Sequence, residues 1–186
     1  MTKILVVDDD RATRHILQQV LTGGGYQTTV AKDGIAALAA LRKQRFDLLL
    51  LDVWMPRMNG LELLAKLRTR KTKPRVVVMT SDDAPQTLLE AVRENAFTYV
   101  HKPVDASALL NTLHAVLEAP EIPPIEVISA RPEWVELMVP CTRDAVDRIE
   151  AVMAHLETDL APDVRESIAY AFRELLLNAI EMGRTA

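Results

Sequence analysis

The sequence is poor in aromatic residues and in cysteine. Aromatic side chains make up 4% of its 186 residues whereas apolar residues make up 49%, so the core must be packed mainly with aliphatic side chains. Cys141 is the single cysteine, which excludes an intramolecular disulfide and a zinc site built from several thiolates. A reducing compartment suits such a chain, and we expect a cytoplasmic protein.

Long apolar runs and strong net charge are also missing. The apolar runs are too short for a signal peptide or a transmembrane helix, so we expect no membrane partner. The formal charge is -4 and the basic residues form no continuous run, so we expect no nucleic-acid partner. Neither an internal repeat nor a low-complexity tract is visible.

The most informative stretch is a run of four leucines, residues 48–51, followed by Asp52. Apolar side chains at every position are typical of a strand that is covered on both faces. Pro56 prevents the strand from continuing. Ligands of open parallel sheets bind beyond the carboxyl ends of the strands, so Asp52 stands where a carboxylate can be a nucleophile or a metal ligand. A helix cap or a turn is the ordinary alternative for a single aspartate.

Strand and helix patterns alternate over residues 1–118. Predicted strands at residues 4–7, 27–31, 48–51, 75–80 and 97–100 are each followed by a helical stripe of apolar residues. This alternation predicts a parallel sheet with helices on both faces. All strands then point the same way, and the residues that follow them gather at one edge of the sheet: Asp8, Asp9, Asp52, Thr80 and Lys102.

These side chains suit the chemistry of phosphate. Three neighbouring carboxylates raise one another's pKa unless a cation lies among them, and Mg²⁺ is the ion that prefers such oxygen ligands. The ammonium of Lys102 and the hydroxyl of Thr80 suit an anion beside the metal. The set is what phosphoryl transfer to Asp52 requires, because that reaction depends on positioning and on neutralising charge.

Four groups of motif residues carry a resemblance to a known family. They are Val6-Val7-Asp8-Asp9, Leu51-Asp52 with Met55-Pro56 and Asn59-Gly60, Val78-Met79-Thr80-Ser81, and Tyr99 followed by Lys102-Pro103. Residues 1–118 thereby resemble the receiver domain of two-component response regulators. The resemblance implies a flavodoxin-like, doubly wound, five-stranded parallel sheet.

The resemblance also implies a role for each motif residue. Asp52 is the phosphoacceptor, and its donor is a sensor histidine kinase or a phosphotransfer protein. Asp8, Asp9, Asp52 and the backbone carbonyl of Trp54 hold Mg²⁺, with Asp8 acting mainly through water. Lys102 pairs with the acyl phosphate, Thr80 moves to bond it, and Tyr99 follows inward. Lys102-Pro103 is expected to be a cis peptide, and Asp10 is expected to cap a helix.

Residues 119–125 form a proline-rich linker, and residues 126–186 form a smaller α+β segment with two helices. We expect strands at residues 126–128 and 134–139, a helix capped by Thr142, and a last helix that starts at Pro162. The last helix resembles the N-box of GHKL-type ATPases, in the anti-sigma-factor serine-kinase subfamily, with Glu174 and Asn178 at the matching positions. The segment is expected to be a partial GHKL-like module, because the sequence ends before that family's adenine-binding motif.

Three functions follow from this sequence. The first is a phosphorelay switch that catalyses its own phosphorylation but is not otherwise an enzyme. The alternative is a receiver-regulated serine kinase or ATPase in a longer parent protein, although we expect no ATP binding by these 186 residues. A phosphotransfer role for His155 is a third alternative, weakened by the absence of the expected proline spacing. We also expect the C-terminal helices to bury their apolar stripe by forming a homodimer.

Overall fold

The computed structural model describes residues 1–68, 70, 73–81, 87, 90–91, 93–94, 96–120, 125–131, 134–154 and 161–183. The chain divides into two compact units. The first contains residues 1–82 and 94–119, and the second contains residues 83–93 and 120–186. Among the described residues, no helix combines the length and the apolar character needed to cross a lipid bilayer.

The first unit contains five strands and four fully described helices. The strands are β1 (Lys3–Val7), β2 (Gln27–Ala31), β3 (Leu48–Asp52), β4 (Arg75–Thr80) and β5 (Thr98–His101). The helices are α1 (Arg11–Gly23), α2 (Gly34–Lys43), α3 (Gly60–Arg68) and α4 (Ala106–Glu118). The helix predicted around Leu88, Leu89 and Val92 falls largely outside the described residues.

All neighbouring strands of this sheet are parallel, and their order is β2-β1-β3-β4-β5. This is the predicted flavodoxin-like, doubly wound arrangement, which is confirmed. β3 occupies the centre, and all five of its residues are buried, as expected for a run of leucines covered on both faces. β2 lies at the edge, which explains its more polar sequence.

Alternate residues of the central strands pack on opposite faces of the sheet. One face forms a single cluster with α1 and α4, in which Ile4, Val6, Leu48 and Leu50 meet the apolar sides of these two helices. The intervening strand residues belong to the other face, where α2 and α3 contribute buried side chains such as Ala37 and Leu63. Burial on both faces holds the strand ends rigidly in register.

Aspartates begin three of the helices. The carboxylates of Asp10, Asp33 and Asp105 accept hydrogen bonds from the backbone N–H groups of Thr13, Ala36 and Ala108, at 2.7, 2.8 and 2.8 Å. Each therefore satisfies one of the unpaired donors of a helix N-terminus. The predicted capping role of Asp10 is confirmed.

The second unit contains a β-hairpin and a helix pair. β6 (Glu126–Arg131) and β7 (Trp134–Met138) are antiparallel, and α5 (Arg143–Ala154) packs against α6 (Pro162–Gly183). Thr142 caps α5 as predicted, since its hydroxyl accepts a hydrogen bond from the N–H of Ala145 at 3.3 Å. Cys141, immediately before this cap, is exposed. Most of the predicted linker, residues 121–124, lies outside the described residues.

The apolar stripe of α6 divides between a packed side and an exposed side. The sequence pattern predicts one continuous buried stripe, but Ile180 is buried whereas Ile168 and Leu175 are 44% and 68% exposed. Packing against α5 is consistent with this division, since the two helices are in contact. Arg173 is half-buried and forms ion pairs with Asp147 and Glu150 of α5.

Gly60 allows the start of α3 to approach the end of β3. The N–H of Gly60 donates to the carbonyl of Val53 at 2.8 Å. A Cβ at this position would lie 2.3 Å from the carbonyl oxygen of Asp52 and 2.9 Å from the Cα of Val53. Both neighbours are backbone atoms of a buried strand end, so neither can move without disturbing Asp52.

We therefore expect Gly60→Ala to destabilise the first unit by about 1–3 kcal/mol, as overpacking does in a rigid core. Urea unfolding followed by circular dichroism measures the change. Gly23→Ala is the matched control, because no atom lies within 4 Å of the added methyl group. That control should leave stability unchanged or raise it by about 0.4–1 kcal/mol. Equal stability of the Gly60 variant and the native protein would contradict the steric argument.

Candidate functional site

Three acidic side chains converge at the carboxyl ends of β1 and β3. Asp8 and Asp9 directly follow β1, and Asp52 is the last residue of β3. One carboxylate oxygen from each lies within 4.8 Å of the other two. Asp8 and Asp52 are buried and Asp9 is exposed, so the acidic cluster is open to solvent at Asp9.

Lys102 brings a positive charge to this cluster from the loop after β5. Its Nζ lies 2.8 Å from Oδ2 of Asp8 and 3.0 Å from Oδ2 of Asp52. The backbone N–H of Lys102 donates to the carbonyl of Thr80 at 2.8 Å, which fixes the loop against the end of β4. The Lys102-Pro103 peptide is cis, as predicted.

The charges and the burial of the site shift two pKa values. Burial raises the pKa of Asp52 above its ordinary value, although Lys102 opposes the shift and the nearby Asp8 adds to it. Burial acts to lower the pKa of Lys102, but its hydrogen bonds to Asp8 and Asp52 outweigh this effect and the pKa is raised. Lys102 is therefore firmly charged at neutral pH.

Asp8 is held by residues at the start of α1 as well as by Lys102. Its Oδ1 accepts a hydrogen bond from the N–H of Asp10 at 2.8 Å, and its backbone carbonyl accepts one from Nη1 of Arg14 at 2.7 Å. The sequence reasoning did not identify Arg14. Helical spacing alone could have suggested it, because Arg14 lies one turn beyond the cap of α1.

The remaining residues singled out in the first unit lie around the same edge. Thr80, the last residue of β4, is completely buried, and Tyr99 is half-buried on the neighbouring strand β5. Trp54 lies two residues beyond Asp52 and is 54% exposed, while its backbone acts to lower the pKa of Asp52. The structure thus brings the predicted residues of all four strand ends to one edge of the sheet.

The sequence reasoning also missed an ion pair beside the site. The guanidinium of Arg57, in the loop after β3, pairs with the carboxylate of Asp33 at the start of α2. The two residues are far apart in sequence and no motif links them, so no sequence signal pointed to the contact. Asp33 was identified only as part of a turn.

Glu174 and Asn178 belong to the second unit, where both are exposed and lie one turn apart on α6. This placement is shared by nucleotide sites and by ordinary solvated helix faces. His155 lies outside the described residues.

The oxygen donors of the acidic cluster, Asp8, Asp9 and Asp52, suit a hard divalent cation. Carboxylate oxygens are the ligands that Mg²⁺ prefers, and it commonly binds through only one or two of them together with water. A single ammonium faces three carboxylates, so an added cation would reduce their mutual repulsion. Lys102 remains available to an anion that binds beside the cation.

Comparison with known proteins gives a family match for the first unit. The family described as response regulator receiver domain matches residues 4–114. The transcriptional regulatory protein ZraR of Klebsiella oxytoca is 40% identical over 114 residues, which are 61% of this chain and 26% of ZraR. The chain therefore matches only about a quarter of that relative's length.

Two solved structures share the fold. The chemotaxis response regulator CheY4 of Vibrio cholerae is 33% identical, with a TM-score of 0.59 over 62% of this chain and 98% of that one. The response regulator TrrA of Thermotoga maritima, determined in complex with Mg²⁺ and BeF, is 29% identical, with a TM-score of 0.57 over 62% of this chain and 99% of that one.

Proposed function

Because the chain belongs to the response regulator receiver domain family, we propose that Asp52 accepts a phosphoryl group and that the first unit acts as a phosphorylation switch. The observation that carries the proposal is the position of Lys102, whose Nζ lies within 3.0 Å of both Asp8 and Asp52. Receiver domains of response regulators interact with histidine kinases or phosphotransfer proteins, so the donor is a phosphohistidine of such a partner.

In the transfer, a carboxylate oxygen of Asp52 attacks the donor's phosphorus. The P–O bond to Asp52 forms as the donor's P–N bond breaks, and the leaving imidazole keeps the electron pair of that bond. Asp52 must be ionised to attack. Lys102 favours the ionised form and can then move to the oxygens of the new acyl phosphate. The burial of Asp52 keeps water away from the reacting atoms.

Asp8, Asp9, Asp52 and the backbone carbonyl of Trp54 would hold Mg²⁺, in line with the oxygen chemistry of the cluster. When bound, Mg²⁺ neutralises charge on the transferring phosphoryl oxygens. Asp8 is already oriented by Asp10 and Lys102, so the site requires little rearrangement before the cation enters.

The switch would operate through the two neighbouring strand ends. The hydroxyl of Thr80, at the end of β4, can reach toward a phosphoryl group on Asp52 of the adjacent strand. Its movement would leave room for Tyr99, which lies half-buried on β5. The chain then changes the surface that it presents to an output rather than turning over a separate substrate.

Incubation with acetyl phosphate and Mg²⁺ tests the proposal. The native protein should gain the mass of one phosphoryl group, and chelation of Mg²⁺ should abolish the gain. Asp52→Asn should gain nothing, because the amide is not a nucleophile for this reaction. Asp105→Asn, the matched control at a helix cap, should be phosphorylated like the native protein. Phosphorylation of the Asp52 variant, or none of the native protein, would refute the proposal.

Trp54 should lengthen the lifetime of the phosphorylated state. Its large, partly exposed side chain lies two residues beyond Asp52 and would limit the approach of water to the acyl phosphate. We expect Trp54→Ala to speed the loss of the phosphoryl group roughly two- to tenfold, equivalent to about 0.4–1.4 kcal/mol in barrier height. Decay is followed by intact mass after removal of the donor. Trp54→Phe should retain most of the protection, and equal decay rates for the alanine variant and the native protein would contradict this role.

The exposed side of α6 suggests a second interaction, between two copies of the chain. Six of its exposed positions are alternately four and three residues apart: Val164, Ile168, Ala171, Leu175, Asn178 and Met182. This is the spacing of a helix seam that packs against a partner helix, and a polar Asn at such a seam is known to fix its register. The ATPase alternative would instead place Glu174 and Asn178 against a nucleotide. The apolar seam favours a homodimer.

Light scattering tests the homodimer at concentrations on the order of tens of micromolar. The native protein should be dimeric, and Leu175→Glu should make it monomeric because the seam would then bury two carboxylates. Tyr170→Glu is the control, since Tyr170 is 66% exposed but lies outside the seam. A monomeric native protein would rule out the dimer.

A further inference from the structure

The loop between β3 and α3 contains an unusual backbone conformation. Arg57 has a φ of 72°, and among the described residues it is the single non-glycine residue with a positive φ. L-residues other than Gly and Asn rarely adopt this conformation, because the Cβ crowds the backbone. A specific interaction of the side chain must therefore favour Arg at this position.

The Arg57 side chain pairs with a buried acid. Asp33 is 1% exposed, and its Oδ1 is already occupied by the N–H of Ala36 at the start of α2. Its Oδ2 forms an ion pair with the guanidinium of Arg57, and among the described residues it accepts no hydrogen bond with good geometry. A buried carboxylate oxygen without a cation or a donor would be strongly unfavourable, so each residue stabilises the placement of the other.

Further contacts hold the same loop against α2. The N–H of Gly34 donates to the carbonyl of Met58 at 3.3 Å. The Met58 side chain fills the space beside Gly34, since a Cβ there would lie 2.6 Å from its Cγ. The ion pair is therefore the charged part of a continuous contact between the loop and the first turn of α2.

The other end of the loop is tied to α3 and β3. The N–H of Glu62 donates to the Asn59 side chain at 2.8 Å, and the N–H of Asn59 donates to the Glu62 carboxylate at 3.1 Å. This reciprocal pair is a capping box at the start of α3. Together with the bond from Gly60 to Val53, it fixes the end of the loop, while residues 54–57 are restrained through the Arg57–Asp33 ion pair, the one charge contact found for them among the described residues.

We propose that Arg57, acting through Asp33, is a positioning residue for the cation site. The proposal rests on the proposed function, in which the backbone carbonyl of Trp54 is one of the Mg²⁺ ligands. Mg²⁺ demands nearly ideal octahedral geometry, so a loop that carries a ligand must be held in place. Groups that orient ligands without touching the metal commonly change metal affinity 10- to 100-fold. Among the described residues, the ion pair recorded for the Arg57 side chain is with Asp33, not with the proposed metal ligands.

Four variants test the role. Arg57→Ala removes the guanidinium and keeps a residue for which the positive φ is unfavourable. Arg57→Gly also removes the guanidinium, but glycine adopts a positive φ without strain. Asp33→Asn removes the charge but keeps an oxygen that can cap α2. The double variant Asp33→Asn with Arg57→Ala measures whether the two residues act together. Asp105→Asn is the control, because it makes the same change at a helix cap for which no ion pair is found among the described residues.

Two measurements are made on the full chain. The dissociation constant for Mg²⁺ comes from the shifts of backbone amide signals in a magnetic-resonance titration, and hydrogen exchange of residues 53–60 reports the order of the loop. We expect each single variant to weaken Mg²⁺ binding about tenfold. The double variant should be no weaker than either single variant, and exchange in the loop should rise. At saturating Mg²⁺ the rate of phosphorylation by acetyl phosphate should return close to the native rate.

Arg57→Gly separates the effect of losing the ion pair from the effect of the unfavourable φ. If the ion pair positions the loop, this variant binds Mg²⁺ as weakly as Arg57→Ala. Native affinity in Arg57→Gly, or effects of Asp33→Asn and Arg57→Ala that simply add, would overturn the inference. In those cases the native protein still binds Mg²⁺ and accepts the phosphoryl group. A native protein that does neither would refute the proposed function, and the inference with it.

Discussion

The site depends on one ammonium group that lies between two buried carboxylates. Lys102 follows β5 and pairs with Asp8 and Asp52, so this one side chain connects the ends of β1, β3 and β5. These strand ends lie together only because the sheet is parallel and its centre is covered on both faces. Lys102 opposes the rise that burial and the nearby Asp8 cause in the pKa of Asp52, and it thereby favours the ionised carboxylate. The fold and the chemistry therefore depend on the same contact.

The residues around Lys102 fall into a buried group and a solvent-exposed group. Asp8, Asp52 and Thr80 are buried and are held by backbone that cannot easily shift, as the close approach of Gly60 to Asp52 illustrates. Asp9 and Trp54 are exposed to solvent. The loop after β3 connects these two environments, because it carries Trp54 and is itself anchored to α2 and α3. The proposed phosphotransfer needs both, since the acceptor must be held in place while its donor approaches from solvent.

Much of this arrangement could be predicted from the sequence, because its causes are local. Apolar runs such as Leu48–Leu51 predict buried strands, and the alternation of strands with helices predicts that Asp8, Asp52 and Lys102 meet at one edge. The Arg57–Asp33 pair could not be predicted, since it depends on a positive φ and on a contact between distant segments. The division of the α6 stripe could not be predicted either, because periodicity shows which residues share a face but not what covers it.

The single cysteine has a practical consequence. Cys141 is exposed and lies directly before the cap of α5, in the unit that does not contain Asp52. A thiol-reactive fluorophore or nitroxide would attach there and nowhere else, without any engineered residue. Its emission or line shape would report, in real time, whether the proposed phosphorylation at the sheet edge changes the surroundings of the helix pair.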